Sequence, residues 1–254
     1  MKLSACIEWI FADEAETFGD RIRLAKENGV EAVEFWKWTN KDLDQIEATL
    51  QATGVGLTSF VAEPMIPLTD IANQGAFLRG LEQSIDVARR LGAKTLIAQA
   101  GDDLASVSRA AQRAALVATL TRAGELLQGT GIRLGVEPLN TTIDHVGYFL
   151  PSTREGLDIA DETGRDEIGI IYDLYHSAVM GEATETVIGA DMRKVFHVHI
   201  ADHPGRNEPG SGTIDLKERL NWLFANGYSG AVGLEYRPIK RSSETIRDLS
   251  SLSN

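Results

Sequence analysis

Eight short apolar runs of strand character alternate along this chain with longer amphipathic segments, and that alternation limits the possible folds more than any other feature. The runs are LSACIEW (3–9), EAVEF (31–35), GLTSFV (56–61), KTLIAQ (94–99), IRLGVE (132–137), IGIIYD (168–173), VFHVHI (195–200) and AVGLE (231–235). Between the first five lie four helical patterns. Phe18, Ile22 and Ala25 share a face of the first, which stops at Asn28-Gly29, and Leu43, Ile46 and Leu50 mark the second, which closes near Gly54. The third is expected from about Ala76 to Leu91 before Gly92, and the fourth from about Ser106 to Gln128 before Gly129. Glycine just past a helical pattern is a stop signal because it accepts the left-handed backbone of a C-cap. Strand–helix units in strict alternation argue for a parallel sheet covered by helices. A doubly wound sheet would carry a glycine-rich phosphate turn after its first strand, but here the first run continues into Ile10-Phe11-Ala12. The expected fold is α/β, a single (β/α)8 TIM barrel over residues 1–254, a length close to that of one such barrel.

The last four runs carry chemistry at their ends. Glu137, Asp173 and Glu235 close three of them and His199 is the penultimate residue of the fourth, at spacings of 36, 26 and 36 residues. One strand plus one crossover helix accounts for such spacings. Parallel strands present their C-terminal residues on one rim, where barrel active sites sit. Any one of these residues could simply cap a helix or brace an ion pair. Four on consecutive strands form a mixed oxygen and nitrogen set suited to a divalent cation (Mg2+, Mn2+ or Co2+), and no thiolate is there to make a structural zinc site. Such an ion held beside spare carboxylates suits proton transfer on a small hydroxy-carbonyl substrate through an enediolate, with Glu137 and Glu235 as acid and base. That is aldose–ketose isomerisation or epimerisation, and it needs no organic cofactor. Side-chain alternation turns Gly135 and Gly233 inward beneath the two glutamates, leaving room above them, and turns His197 inward a layer below His199, where it reads as a hydrogen-bonded core histidine.

Composition narrows the partners. The net charge of −12 opposes a phosphate backbone, and Arg89-Arg90 and Lys240-Arg241 are too small to make a basic patch. No nucleic-acid partner is expected. Neither is a membrane, since no run approaches the roughly 18 apolar residues that a span requires. The single cysteine, Cys6, and an N-terminal stretch broken by Glu8 and Asp13-Glu14 fit a cytoplasmic protein.

The segments VEPLN (136–140), DHVGYFL (144–150), YDLYH (172–176), HVHIAD (197–202), RNEPGSGTID (206–215) and GLEYRP (233–238) resemble the hydroxypyruvate isomerase family. More broadly they resemble the xylose isomerase-like barrels, which include the ketose 3-epimerases. The likeness spans the C-terminal half in the family's order; the N-terminal half matches mainly in strand rhythm and in the VEF tripeptide at 33–35. The resemblance implies Glu137, Asp173, His199 and Glu235 as metal ligands, with Glu137 and Glu235 also transferring protons. It further implies that His176 and Arg206 contact substrate oxygens. One departure is His199, where hydroxypyruvate isomerases are expected to carry Gln and the 3-epimerases His.

Other residues have two readings each. His145 either reaches the substrate or orders its loop. Glu208 is expected to brace its turn-rich loop. Glu34 either lines the pocket or caps the next element. Trp36 and Trp38 either wall off solvent or supply packing or a subunit contact, so a homodimer is a candidate state. His203 reads as a loop residue. Among rival functions, an apurinic endonuclease on this barrel would use three zinc ions and many histidines, whereas the five here are all at 145 or later. An inosose-type dehydratase would share the enolate step, and a sugar-binding protein would have no use for the paired carboxylates. The expectation is an isomerase of hydroxypyruvate-like acids ahead of ketoses, separated by the charge on the substrate's end, with Arg206 or Arg237 as the cation for a carboxylate.

Overall fold

A computed structural model of the chain describes residues 1–249. Nine strand segments form one sheet in the order β3-β2-β1-β9-β8-β7-β6-β5-β4, every pairing parallel. They are β1 (Leu3–Cys6), β2 (Ala32–Glu34), β3 (Gly56–Leu57), β4 (Ser59–Val61), β5 (Thr95–Ala98), β6 (Arg133–Val136), β7 (Ile168–Asp173), β8 (Val195–Ile200) and β9 (Val232–Leu234). The two ends of that order, β3 and β4, are separated only by Thr58. The GLTSFV run is therefore one strand broken in the middle: its first half pairs with β2 and its second with β5, which brings the sheet round into a barrel. Thr58 keeps its own backbone bond to Val33 O at 3.0 Å.

Helices follow the strands: α1 (Phe18–Glu27), α2 (Leu43–Thr53), α3 (Gln74–Leu91), α4 (Arg109–Leu127), α5 (Thr153–Glu162), α6 (Leu174–Val179), α7 (Thr184–Ile188), α8 (Leu216–Ala225) and α9 (Ser242–Asp248). The glycine stops hold, with Gly54 and Gly92 left-handed at the ends of α2 and α3. α4 starts at Arg109 rather than near Ser106, because it is Ser108 whose hydroxyl accepts from Ala111 N. The crossover between β7 and β8 is two short helices, α6 and α7, separated by the left-handed turn at Gly181. The first run leaves the sheet after Cys6 instead of reaching Trp9, since Trp9 N and Ile10 N both turn back to Cys6 O.

The main core lies between barrel and helices and includes Ile22, Phe60, Leu81, Leu120, Leu134 and Val198. Inside the barrel, Val61, Ile97 and Ile171 form a separate small cluster against which Trp36 packs. Inward positions above and beside that plug carry the polar groups. Among the described residues no helix is long and apolar enough to cross a membrane.

Candidate active site

The four rim residues come together. One ligand-type atom from each of Glu137, Asp173, His199 and Glu235 lies within 4.8 Å of every other, and all four side chains are buried. His199 Nδ1 is 3.0 Å from Glu137 Oε1 and 3.7 Å from Glu235 Oε2. Asp173 does two things at once. Its Oδ1 caps α6 by accepting from Tyr175 N (2.8 Å) and His176 N (3.2 Å), while Oδ2 is turned toward Arg206 and His176 at 3.5 Å. Capping and site-facing roles are thus divided between the two oxygens of one carboxylate.

Arg206 reaches this cluster from the loop after β8. It is 7% exposed, and its Nη2 lies 2.5 Å from Glu235 Oε2. It sits at φ +56, with its guanidinium over the rings of Trp9 and Tyr175. Glu235 Oε1 takes a second bond, from Trp36 Nε1 at 2.8 Å. His176 is equally constrained. Asn140 donates to its Nδ1 through the side-chain amide (2.7 Å) as well as the backbone N–H (3.2 Å), so the proton belongs on Nε2. That Nε2 is buried without a hydrogen-bond partner. Burial and then the Arg206 charge keep this imidazole neutral, its pKa well below the ordinary histidine value. The nearest acidic oxygen to its Nε2 is Asp173 Oδ2 at 3.5 Å.

Beneath the rim the inward layer is fuller than side-chain alternation alone suggested. A Cβ at Gly135 would sit 2.6 Å from Ile171 Cδ1, and one at Gly233 would meet Glu34 Oε1 at 2.5 Å and His199 Cδ2 at 2.6 Å. These glycines make room for neighbouring side chains and not for a substrate. Glu34 neither lines the cavity nor caps a helix. It lies below the rim, where Ser4, Thr58 and His197 bond to its Oε2 at 2.7–3.0 Å. His197 is thereby the hydrogen-bonded core histidine expected. Glu34 Oε1 is 3.1 Å from His199 Nε2, poorly aligned, and neither atom has another partner.

Charge is unbalanced here. Glu34, Glu137, Asp173 and Glu235 are four buried carboxylates, and among the described residues Arg206 is the only buried guanidinium against them. Burial, together with Glu235 and Asp173, pushes the Glu137 carboxyl up to about 7 despite the His199 bond. Burial works against a charge on His199, but Glu34, Glu235 and Glu137 raise its pKa well above the usual range. Glu34 is also penalised by burial, yet His197 and His199 hold it well below the carboxylate norm. Negative charge gathered out of water without compensation is costly. A divalent cation among Glu137, Asp173, His199 and Glu235 would supply the missing charge, and the donor types suit it. The residues fit the group.

Glu137 and Glu235 line a cavity of about 500 Å³, together with Glu8, Trp9, Trp36, Asp144, His145 and Arg237 among others. His145 lies on its wall with its ring 5.3 Å from that of His176. Trp36 walls the cavity, while Trp38 turns away, packs on the core and bonds to Ser84 Oγ at 3.1 Å. Both tryptophans remain partly exposed. Glu208 braces its loop by accepting from Ile239 N, and His203 is a loop residue. Glu8 and Trp9 were missed. The continuous apolar run hid the turn after Cys6 that swings them over the rim.

The chain matches the family model of xylose isomerase-like TIM barrels over residues 22–252. It is 31% identical to the hydroxypyruvate isomerase of Escherichia coli K12, with 97% of each chain covered. It is 28% identical to a 2-oxo-tetronate isomerase of Cupriavidus necator, over 87% of each. A solved structure described as an AP endonuclease, family 2, from Brucella melitensis has a TM-score of 0.91 at 26% identity, with 98% of each chain covered. The chain therefore belongs to the xylose isomerase-like TIM barrel family, and its relatives make it an isomerase.

Proposed function

We propose, from that membership and from the geometry of the rim, that the protein is a metal-dependent isomerase of small hydroxy-oxo acids, interconverting hydroxypyruvate and tartronate semialdehyde or a close homologue. The observation that carries the reading is the convergence of Glu137, Asp173, His199 and Glu235 beside a cavity large enough for a three- or four-carbon acid. Those four would hold the ion, which when bound polarises the substrate carbonyl and stabilises charge on oxygen as a neighbouring C–H proton leaves.

The protein's own groups do the rest. Glu235, paired with the Arg206 guanidinium, begins as the base and takes the proton from the hydroxymethyl carbon. The enediolate of the substrate forms within reach of the His176 Nε2–H, which donates to an oxygen. Glu137 takes the substrate's hydroxyl proton and passes it to the adjacent carbon, Glu235 gives its proton to the former carbonyl oxygen, and the hydroxyl and carbonyl exchange places.

A ketose 3-epimerase would use the same four side chains. The cations on the cavity wall, Lys37, Arg206 and Arg237, favour an anionic substrate. The nuclease description of the Brucella structure is not carried over, because a chain of net charge −12 is repelled by DNA. Metal-loaded protein incubated in D2O should put deuterium into hydroxypyruvate, and Glu137→Gln should abolish the exchange. Wild-type turnover by that variant, or exchange into ketohexoses only, overturns the assignment.

A further inference from the structure

An oxo-acid substrate brings a carboxylate that a rim of carboxylates repels, so some cation on the cavity wall has to receive it. Three candidates line the cavity: Lys37, Arg206 and Arg237. Arg206 is already engaged, with Glu235 at 2.5 Å and Asp173 at 3.5 Å. Lys37 and Arg237 are both exposed, but among the described residues no aromatic ring holds Lys37. Arg237 differs from both. Its guanidinium carbon lies 5.0 Å from the centroid of the Trp9 ring, and that of Arg206 lies 5.1 Å from the same ring. One indole therefore holds two guanidinium groups at the cavity wall.

That indole is itself fixed. Trp9 meets Trp36 edge to face at 5.0 Å, and Trp36 is tethered through Nε1 to Glu235. The main chain at 237 is tied to the Arg206 loop, because Arg237 N donates to Arg206 O and Asn207 Nδ2 donates to Arg237 O, both at 2.8 Å. Nearby acids are spoken for. Glu8 is 2.6 Å from Lys41, and Asp144 accepts from Asn140 and Tyr175. Among the described residues no carboxylate lies within salt-bridge distance of Arg237, and no further interaction of it is left over. It is an exposed cation on the cavity wall, laid against an indole, with no carboxylate on it among the described residues.

We infer that Arg237, laid on Trp9 beside Arg206, binds the carboxylate of the substrate and so makes the enzyme select oxo acids over neutral ketoses. The inference rests on the isomerase reading above and deepens it. A guanidinium presents two parallel N–H donors that match a carboxylate, and stacking on an aromatic face removes the rotamer freedom that binding would otherwise have to freeze. Arg206 then remains with the carboxylates at the reacting carbons, while Arg237 takes the end that does not react.

The test compares hydroxypyruvate with dihydroxyacetone, its neutral counterpart in which a hydroxymethyl group replaces the carboxylate. In Arg237→Gln the KM for hydroxypyruvate should rise roughly 10- to 100-fold, the loss of one charge-assisted contact, with kcat nearly kept. Kinetics on dihydroxyacetone should not move, and Arg237→Lys should fall between. Equal losses on both substrates, no loss, or a larger effect from Lys37→Gln would overturn the inference. Calorimetric titration of tartronate, which has no carbonyl to isomerise, reads the same contact without catalysis. Weaker binding in Arg237→Gln supports it; equal binding in both proteins, or none in either, sinks it. Wild-type failure on hydroxypyruvate with Arg237-dependent tartronate binding would refute the isomerase reading alone.

Discussion

Glu34 controls the face that His199 presents to the rim. With Ser4 and Thr58 hydroxyls and His197 fixed on its Oε2, the carboxylate stays charged and stationary, its Oε1 against His199 Nε2. A carboxylate behind an imidazole favours the proton on the near nitrogen, which leaves the lone pair of Nδ1 toward Glu137 and Glu235. Glu34→Gln should therefore weaken Mn2+ binding by about 10- to 100-fold, read by calorimetry, with circular dichroism confirming the fold. Unchanged affinity would mean that His199 is oriented by packing alone. Little of this was legible in the sequence. Glu34 was visible as a strand-end acid, but its partners come from positions 4, 58 and 197, and only closure of the barrel brings those strands to one point. Asp173 was more readable, since its place at the end of a β-branched run and the start of a helix gave both its cap and its direction.

At the scale of elements, the loop from β8 to α8 carries Arg206 and is organised by one side chain. Asp202 is buried and accepts four backbone N–H groups, from His203 (2.8 Å), Gly210 (2.9 Å), Gly212 (2.9 Å) and Ile214 (3.0 Å). Gly212 must lack a side chain there, as its Cβ would sit 2.6 Å from Asp202 Oδ1. Removing the acceptor leaves several donors without partners, at about 1–3 kcal/mol for each one that stays buried. Asp202→Ala should lower both Tm and kcat/KM, because Arg206 then loses the frame that holds its left-handed backbone. Asp202→Asn keeps one acceptor oxygen and should recover part of each. Full activity in the alanine variant would show that Arg206 is positioned by Glu235 instead. Helix ends were the readable part of the elements, because glycine and serine caps act within a few residues of chain. The turn after Cys6 and the break at Thr58 were not, since each is imposed by neighbouring strands and leaves no mark in an apolar run.

For the molecule as a whole, closing a barrel of eight strand–helix units puts several carboxylates where water cannot screen them, and this ties stability to pH and to any ion that binds there. Glu137 titrates near 7 in the folded protein, against 4.5 for an ordinary glutamate. As pH rises through that window the unfolded chain ionises first, so a contribution on the order of a few kcal/mol is progressively lost from the metal-free protein. His199 acts in the same direction, since its raised pKa contributes stability that disappears as pH climbs through the folded value. Glu34 acts oppositely: its lowered pKa stabilises above the ordinary value and that stability is lost on acidification. An ion bound by Glu137 and His199 has to displace the protons both retain, so binding releases protons and tightens as pH rises. Mn2+ should therefore raise Tm more at pH 8 than at pH 5.5, and its calorimetric enthalpy should vary with the ionisation heat of the buffer. An equal Tm increment at both pH values, with no buffer dependence, would place the ion away from Glu137 and His199.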